Sequence, residues 1–194
     1  MDNFRKLGEK YNVTKLMNDK FPGQTFEHIY DDIFSPFRLY DPLKVLEIGI
    51  QEGGSLRVWR DFFLHAQIIG IDIDKKYLYQ EERISTYLID QSDEENLNKL
   101  ITQYNGFDIV IDDGGHFSDQ QIITLKNLLP FTKYLYCIED LDTSYPELYP
   151  THSRIGEDTI MTWLKTIADW AVLEKHKIER IDFRKRFVSI HKKN

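Results

Sequence analysis

The chain has 194 residues, 41% apolar and 13% aromatic, which is enough for one well-filled core and too little for two full domains. Its 25 Lys and Arg stand against 32 Asp and Glu, giving a net charge of −7, and this excludes proteins that coat nucleic acid or a membrane surface, both of which need a net basic face. The single cysteine, Cys137, excludes an internal disulfide, and its apolar setting "YLYCIED" points to a buried structural thiol in a reducing compartment.

The amino-terminal stretch "MDNFRKLGEKYNVTK" has no apolar h-region, and no run approaches the roughly 18 residues of a membrane helix, so a cytoplasmic protein with no membrane partner is expected. The polar and aromatic residues up to position 40, including "FPGQTFEHIYDDIFSPFR", predict one or two helices lying against a sheet as a lead-in, not a domain. From Lys44 on, short β-branched runs alternate with longer helix-compatible stretches, the pattern of a parallel α/β sheet with helices on both faces. The runs "KVLEIGI" (44–50), "QIIGIDI" (67–73), "STYLIDQ" (85–91), "FDIVIDD" (107–113) and "YLYCIED" (134–140) read as five strands buried on both faces. Between them "SLRVWRDFF", "DEENLNKLITQY" and "SDQQIITLKNLL" carry apolar residues at helical spacing, with Ser55, Ser92 or Asp93, and Ser118 as expected N-caps. After Asp140 a Pro-containing loop leads to a helix over about 158–176. Then "KIERIDF" and "RFVSIHK" predict a closing antiparallel hairpin, making seven strands in one domain over 1–194, its core running from 44 to 194.

In such a sheet ligands bind outside the carboxyl ends of the strands, where strand order reverses. Glu47 and Gly49, Asp72, Asp90, Asp112 with Asp113, and Glu139 with Asp140 stand at successive strand ends. Single acids there also serve as caps or solvated loop residues. Several at one edge repel one another unless a cation or hydrogen-bond donors neutralise them, and oxygen ligands with water suit Mg²⁺, or Mn²⁺ in its place, better than zinc. "EIGIQEGGS" sets Gly49, Gly53 and Gly54 between a strand and a helix, allowing close backbone approach to a ligand. The spacing is neither the dinucleotide fingerprint nor a P-loop. With Asp72 some 20 residues on, placed to accept ribose hydroxyls, it suggests an adenosine-containing cofactor without a pyrophosphate.

The stretches "VLEIGIQEGGSLRVWRDFF", "IIGIDID", "IDQSDEENL", "IDDGGHFSDQQ" and "CIEDLDTSY" resemble the class I S-adenosylmethionine methyltransferases with their Rossmann-like fold. More narrowly they resemble the metal-dependent sugar O-methyltransferases of the mycinamicin and rhamnosyl type. The likeness is close over about 44–145 and fainter upstream, in "YNVTK" and "TFEHIYDDIFSPFR". It implies Mg²⁺ (or Mn²⁺) ligation by Asp113, Glu139 and Asp140, and His116 as general base. It also implies an S-adenosyl-L-methionine site lined by Glu47, Gly49, Ser55, Asp72, Asp90, Gln91, Asp112 and Asp113. Two positions depart from the family pattern: Gly114-Gly115 stands where Gly-Ser is common, and Asp142 where a His is frequent. The macrolide-sugar enzymes carry a large amino-terminal extension, which supplies oligomer contacts and part of the acceptor pocket and is not found in these 194 residues.

The expected acceptor is a small molecule or saccharide: a nucleotide sugar, a glycan or a glycosylated metabolite. Homo-oligomerisation stays open. His28, Tyr30, Tyr145, His152 and Arg154 are candidates for the acceptor pocket. A catechol-type O-methyltransferase and a non-catalytic cofactor binder stand as alternatives. A nucleic-acid substrate is disfavoured, because "RKRF" and "HKKN" form no basic stripe.

Overall fold

The computed structural model describes residues 2–16, 26–150, 152 and 158–193. The apolar runs form strands β1 (Leu43–Ile48), β2 (Ala66–Asp72), β3 (Gln80–Glu81), β4 (Ile84–Leu88), β5 (Phe107–Asp112), β6 (Thr132–Ile138), β7 (Ile178–Arg184) and β8 (Phe187–Lys192). They make one sheet in the order β3-β4-β2-β1-β5-β6-β8-β7. The five central strands are parallel, while β3, β8 and β7 run antiparallel to their neighbours. The seven expected strands are joined by β3, whose two residues are too few to show a period. The chain steps outward from β1 to β2 and β4 and returns to β5 on the other side, so the switch point lies between β1 and β5.

Helices α1 (Phe4–Tyr11), α2 (Glu27–Phe34) and α3 (Gly54–Phe62) pack on one face, and α4 (Glu94–Tyr104), α5 (Ser118–Leu128) and α6 (Ile160–Val172) on the other. In α4 the buried Leu97, Leu100 and Ile101 form one stripe, the i, i+3, i+4 spacing of an amphipathic helix. Asp93 caps it by accepting from Asn96 N, as expected. The other two expected caps fail. Gly53 in the left-handed region precedes α3, and Phe117, with no capping side chain, precedes α5. Ser55 instead donates to Glu47 Oε2 at 2.7 Å, and Ser118 Oγ is buried without a bond.

Strand alternation divides the core in two. Leu43 and Val45 of β1, Ile109 and Ile111 of β5, and Leu135 and Cys137 of β6 face α1–α3. Leu46, Ile48, Val110, Tyr136 and Ile138 face α4–α6. The lead-in lies on the first face over an aromatic cluster centred on Trp59, whose ring centroid is 5.0–6.2 Å from those of Tyr30, Phe4, Phe34 and Phe63. Among the described residues no helix is long and apolar enough to cross a membrane.

Because Trp59 is fully buried and joins α1 and α2 to the sheet, Trp59→Ala should lower unfolding free energy by about 3–5 kcal/mol. Denaturant titration followed by far-UV circular dichroism measures this, and a loss below about 1 kcal/mol would show that the lead-in is not docked through this ring.

Candidate active site

The alternation that sorts the core also sorts the acids. Glu47, Asp113 and Glu139 continue the odd-numbered face toward the lead-in, and there they meet Lys15. Its Nζ donates to Asp113 Oδ2 and, at 2.7 Å, to Glu139 Oε1, and lies 3.4 Å from Glu47 Oε1. Tyr30 Oη donates to the same Glu139 oxygen. Lys15 is 5% exposed and Glu139 1%. Burial opposes the Lys15 charge, but the three carboxylates outweigh it and hold the ammonium well above the ordinary lysine range. Burial, reinforced by the neighbouring Asp113, pushes the Glu139 carboxyl up, against the pull of Lys15 and Tyr30.

Asp112 points to the opposite face. It is wholly buried, accepts from Thr124 of α5 through Oδ2, and receives Gln91 Nε2 and Gly114 N at Oδ1, each at 3.4 Å. It is a staple between β5 and α5. Burial raises its carboxyl to about 6.

Asp140, in the left-handed region at φ 52, is bonded by Arg186 Nη2 at 2.7 Å. Arg186 Nε sits 2.8 Å from Asp142 Oδ2, so Asp142 helps hold the β7–β8 turn onto the site. Burial raises the Asp140 carboxyl, with His116 and Arg186 opposing. His116, also left-handed at φ 58, presents Nε2 to Asp113 Oδ1 at 3.8 Å and to Asp140 Oδ2 at 3.6 Å. Its Nδ1 is buried without a bond. Such backbone conformations cost of order 1 kcal/mol each in non-glycine residues and gather where function demands them.

Beside this cluster a cleft of about 370 Å³ opens at the carboxyl ends of β1, β2 and β5, lined by Gly49, Asp72, Asp90, Gln91 and Asp113 together with Asp74 and Tyr77. A Cβ on Gly49, at φ +80, would lie 2.2 Å from the Asp113 carbonyl oxygen, so only glycine lets the two loops meet here. Asp72 accepts from the backbone N–H of Ile50, Gln51 and Asp74 at 2.8–3.2 Å. A carboxylate has about four acceptor sites, so capacity for a hydroxyl remains. Gln91 Oε1 accepts from Gly115 N at 2.6 Å, fixing the turn before His116. A larger cavity of about 710 Å³ lies at the strand starts, between Tyr40, Lys44, Phe131 and Tyr134, the end of a parallel sheet that does not collect ligands.

Not every expected residue reaches the cleft. Glu47, Ser55 and Asp112, expected to line the cofactor site, do not line it, because their side chains turn into the core and bond there. Tyr30, expected in the acceptor pocket, is fully buried against Glu139, and His28 is 86% exposed on α2. Tyr145 is exposed, and His152 stacks on Phe117 with centroids 4.7 Å apart. Arg154 lies outside the described residues. Lys15 and Arg186 were missed, the first in a polar lead-in and the second in "RKRF", weighed only for a basic stripe.

The donor set fits a hard divalent cation. One ligand atom from each of Asp113, His116 and Asp140 lies within 4.8 Å of the others, close to the separation of about 4.2 Å at which two ligands about 2.1 Å from one ion stand opposite each other. Glu139 stands outside this group and spends Oε1 on Lys15 and Tyr30. The cleft fits an adenosyl group, having a glycine cradle on one side and the Asp72 carboxylate on the other.

No family model matches the chain. It is 35% identical over 164 residues to the 8-demethyl-8-alpha-L-rhamnosyl tetracenomycin-C 2'-O-methyltransferase of Streptomyces olivaceus, covering 78% of this chain and 42% of that protein. It is 41% identical over 125 residues to the mycinamicin VI 2''-O-methyltransferase of Micromonospora griseorubida, covering 60% and 31%. Among solved structures, the MycE methyltransferase of the mycinamycin biosynthetic pathway, in complex with Mg, SAH and mycinamycin VI, superposes with a TM-score of 0.86 at 30% identity, over 98% of this chain and 54% of that one. The chain thus spans about half the length, or less, of the relatives it matches.

The Asp112 staple has a pH signature. Its carboxyl is raised in the folded chain from 3.8 to about 6, so the folded state holds the proton more tightly. The resulting stability is complete below pH 4 and lost as pH rises through 6. Asp112→Asn keeps an acceptor for Gln91 and cannot ionise. Relative to this variant, in EDTA, wild type should lose on the order of 1–3 kcal/mol between pH 4 and 6.5, and parallel curves for the two proteins in urea titrations would contradict the assignment.

Proposed function

Because the chain belongs to the class I S-adenosylmethionine-dependent methyltransferases, we propose that it is a divalent-metal-dependent O-methyltransferase acting on a sugar hydroxyl, with His116 as general base. The observation that carries this reading is the meeting of Asp113, Asp140 and His116 within 4.8 Å, directly beside the glycine- and Asp72-lined cleft.

S-adenosylmethionine would supply an electrophilic methyl, and a divalent ion would lower the pKa of the acceptor hydroxyl. Asp113 and Asp140 are the proposed primary ligands, with the second oxygen of Glu139 completing the set. Gly49, Asp72, Asp90 and Gln91 are the proposed cofactor contacts, Asp72 taking ribose hydroxyls with its remaining acceptor capacity. His116 acts through Nε2, whose 3.6 and 3.8 Å separations from the two carboxylates are too long for hydrogen bonds and leave the lone pair to a hydroxyl. In that tautomer Nδ1 carries the proton. Proton removal by a positioned imidazole is worth roughly 10²–10⁴ in rate, and positioning supplies much of the rest.

The acceptor class rests on the relatives' sugars. Phe117, next to His116 and 38% exposed with His152 stacked on it, is the proposed aromatic contact for either the apolar face of a pyranose or a flat phenol. A screen of nucleotide sugars, rhamnosides and catechols with labelled cofactor separates the two, and methylation of catechols alone would overturn the sugar reading. A cytoplasmic setting remains part of the proposal, supported by the buried free thiol of Cys137.

EDTA should abolish turnover, with Mg²⁺ or Mn²⁺ restoring it. His116→Gln should cut kcat by roughly 10²–10⁴ with cofactor affinity unchanged, and near-full kcat in this variant would refute the base. Asp72→Ala should weaken S-adenosylhomocysteine binding by roughly 1–3 kcal/mol through unpaired polar groups, and unchanged affinity by calorimetry would refute the assigned site.

A further inference from the structure

Lys15 is a buried charge that the proposed chemistry does not use. It is delivered inward by the turn after α1, where Val13 N bonds Gly8 O at 3.0 Å and Val13 and Leu16 are buried beside it in the aromatic core. Its ammonium takes one oxygen of each neighbour: Oδ2 of Asp113 and Oε1 of Glu139. Asp113 Oδ1 is left on the other side, toward His116. Two cation positions therefore lie side by side. One is filled by Lys15 among Glu47, Asp113 and Glu139, and the other is bounded by Asp113, Asp140 and His116. Asp113 belongs to both.

We propose that Lys15 is a resident counter-cation of the carboxylate centre, a tethered ammonium that occupies one side of Asp113 and Glu139 whether or not a divalent ion lies on the other. It keeps that ion exchangeable instead of structural. The inference rests on the proposed metal site. An isolated buried carboxylate is costly, and three facing one another without a counter-charge would drive the strand ends apart. Lys15 removes that cost with no metal present, so the fold does not depend on the ion. The same ammonium repels a second cation sharing Asp113, and a carboxylate already bonded to it is a weaker ligand. Lys15 therefore sets the site's affinity low as well as holding it together.

The test uses the full chain, with Mn²⁺ as probe. Thermal unfolding is followed in EDTA and in Mn²⁺, and Mn²⁺ binding is measured by the loss of the free-ion electron paramagnetic resonance signal. Wild type should gain less in unfolding temperature from Mn²⁺ than Lys15→Met does at the same free-ion concentration. Lys15→Met should unfold earlier in EDTA, recover in Mn²⁺, and bind Mn²⁺ roughly tenfold or more tightly, while Lys15→Arg should follow wild type. Equal or weaker binding by Lys15→Met, with wild type binding normally, overturns this proposal alone. Absence of Mn²⁺ binding in every protein overturns the metal site and this inference with it. Should Lys15→Met fail to fold in either condition, the double variant Lys15→Met with Glu139→Gln, which deletes one charge of each sign, should fold in EDTA. Failure of the double variant would show that charge is not what Lys15 supplies.

Discussion

The mutual repulsion of carboxylates at one edge of a parallel sheet is the constraint that the rest of this structure answers. Parallel strands all end on the same side, and β1, β5 and β6 are neighbours there, so Glu47, Asp112, Asp113, Glu139 and Asp140 are forced into a small space. The fold meets this by dividing them between the two faces of the sheet and giving each a partner. Lys15 and Tyr30 serve the lead-in face, Thr124, Gln91 and Gly114 N hold Asp112, and Arg186 holds Asp140. Burial still pushes Glu47, Asp112, Glu139 and Asp140 upward, and this desolvation is what the partners have to offset.

Both ends of the chain are thereby drawn into the site. The amino-terminal segment contributes Lys15 and Tyr30 and is held in place by the stack of Phe4, Tyr30 and Phe34 around Trp59. The carboxyl-terminal hairpin contributes Arg186 at its turn, where Leu141 N bonds the Arg186 carbonyl at 3.1 Å. Arg184 pairs with Asp32 of α2. The hairpin is thus tied on one side to the acidic loop after β6 and on the other to the lead-in. Packing far from the cleft fixes where the charges near His116 stand, so a core substitution such as one at Trp59 reaches the site through Tyr30. Strained backbone at His116 and Asp140 persists because these surroundings over-determine it.

The sequence by itself determined the elements and the edge. Strand and helix periods are local properties, so the five parallel strands, the closing hairpin and the gathering of acids at strand ends could be read from runs of a few residues, and the glycines of "EIGIQEGGS" and the turn "DDGGH" announced the cleft and the histidine. Alternation even contained the split between Asp112 and Asp113, since neighbours on a strand face opposite ways. What only the tertiary structure decided was which group each side chain meets. Lys15 reaches Asp113 and Glu139 across 98 and 124 residues, and Arg186 reaches Asp140 across 46. Ser55 gave up its expected cap for Glu47, while Ser118 Oγ was simply buried without a bond. Pairing at such separations is set by how helices dock on the sheet, a sum of many non-local packing contacts with no signature in any short window. A lysine in a polar lead-in and an arginine in a basic tail therefore carry no local mark of the burial that the fold gives them.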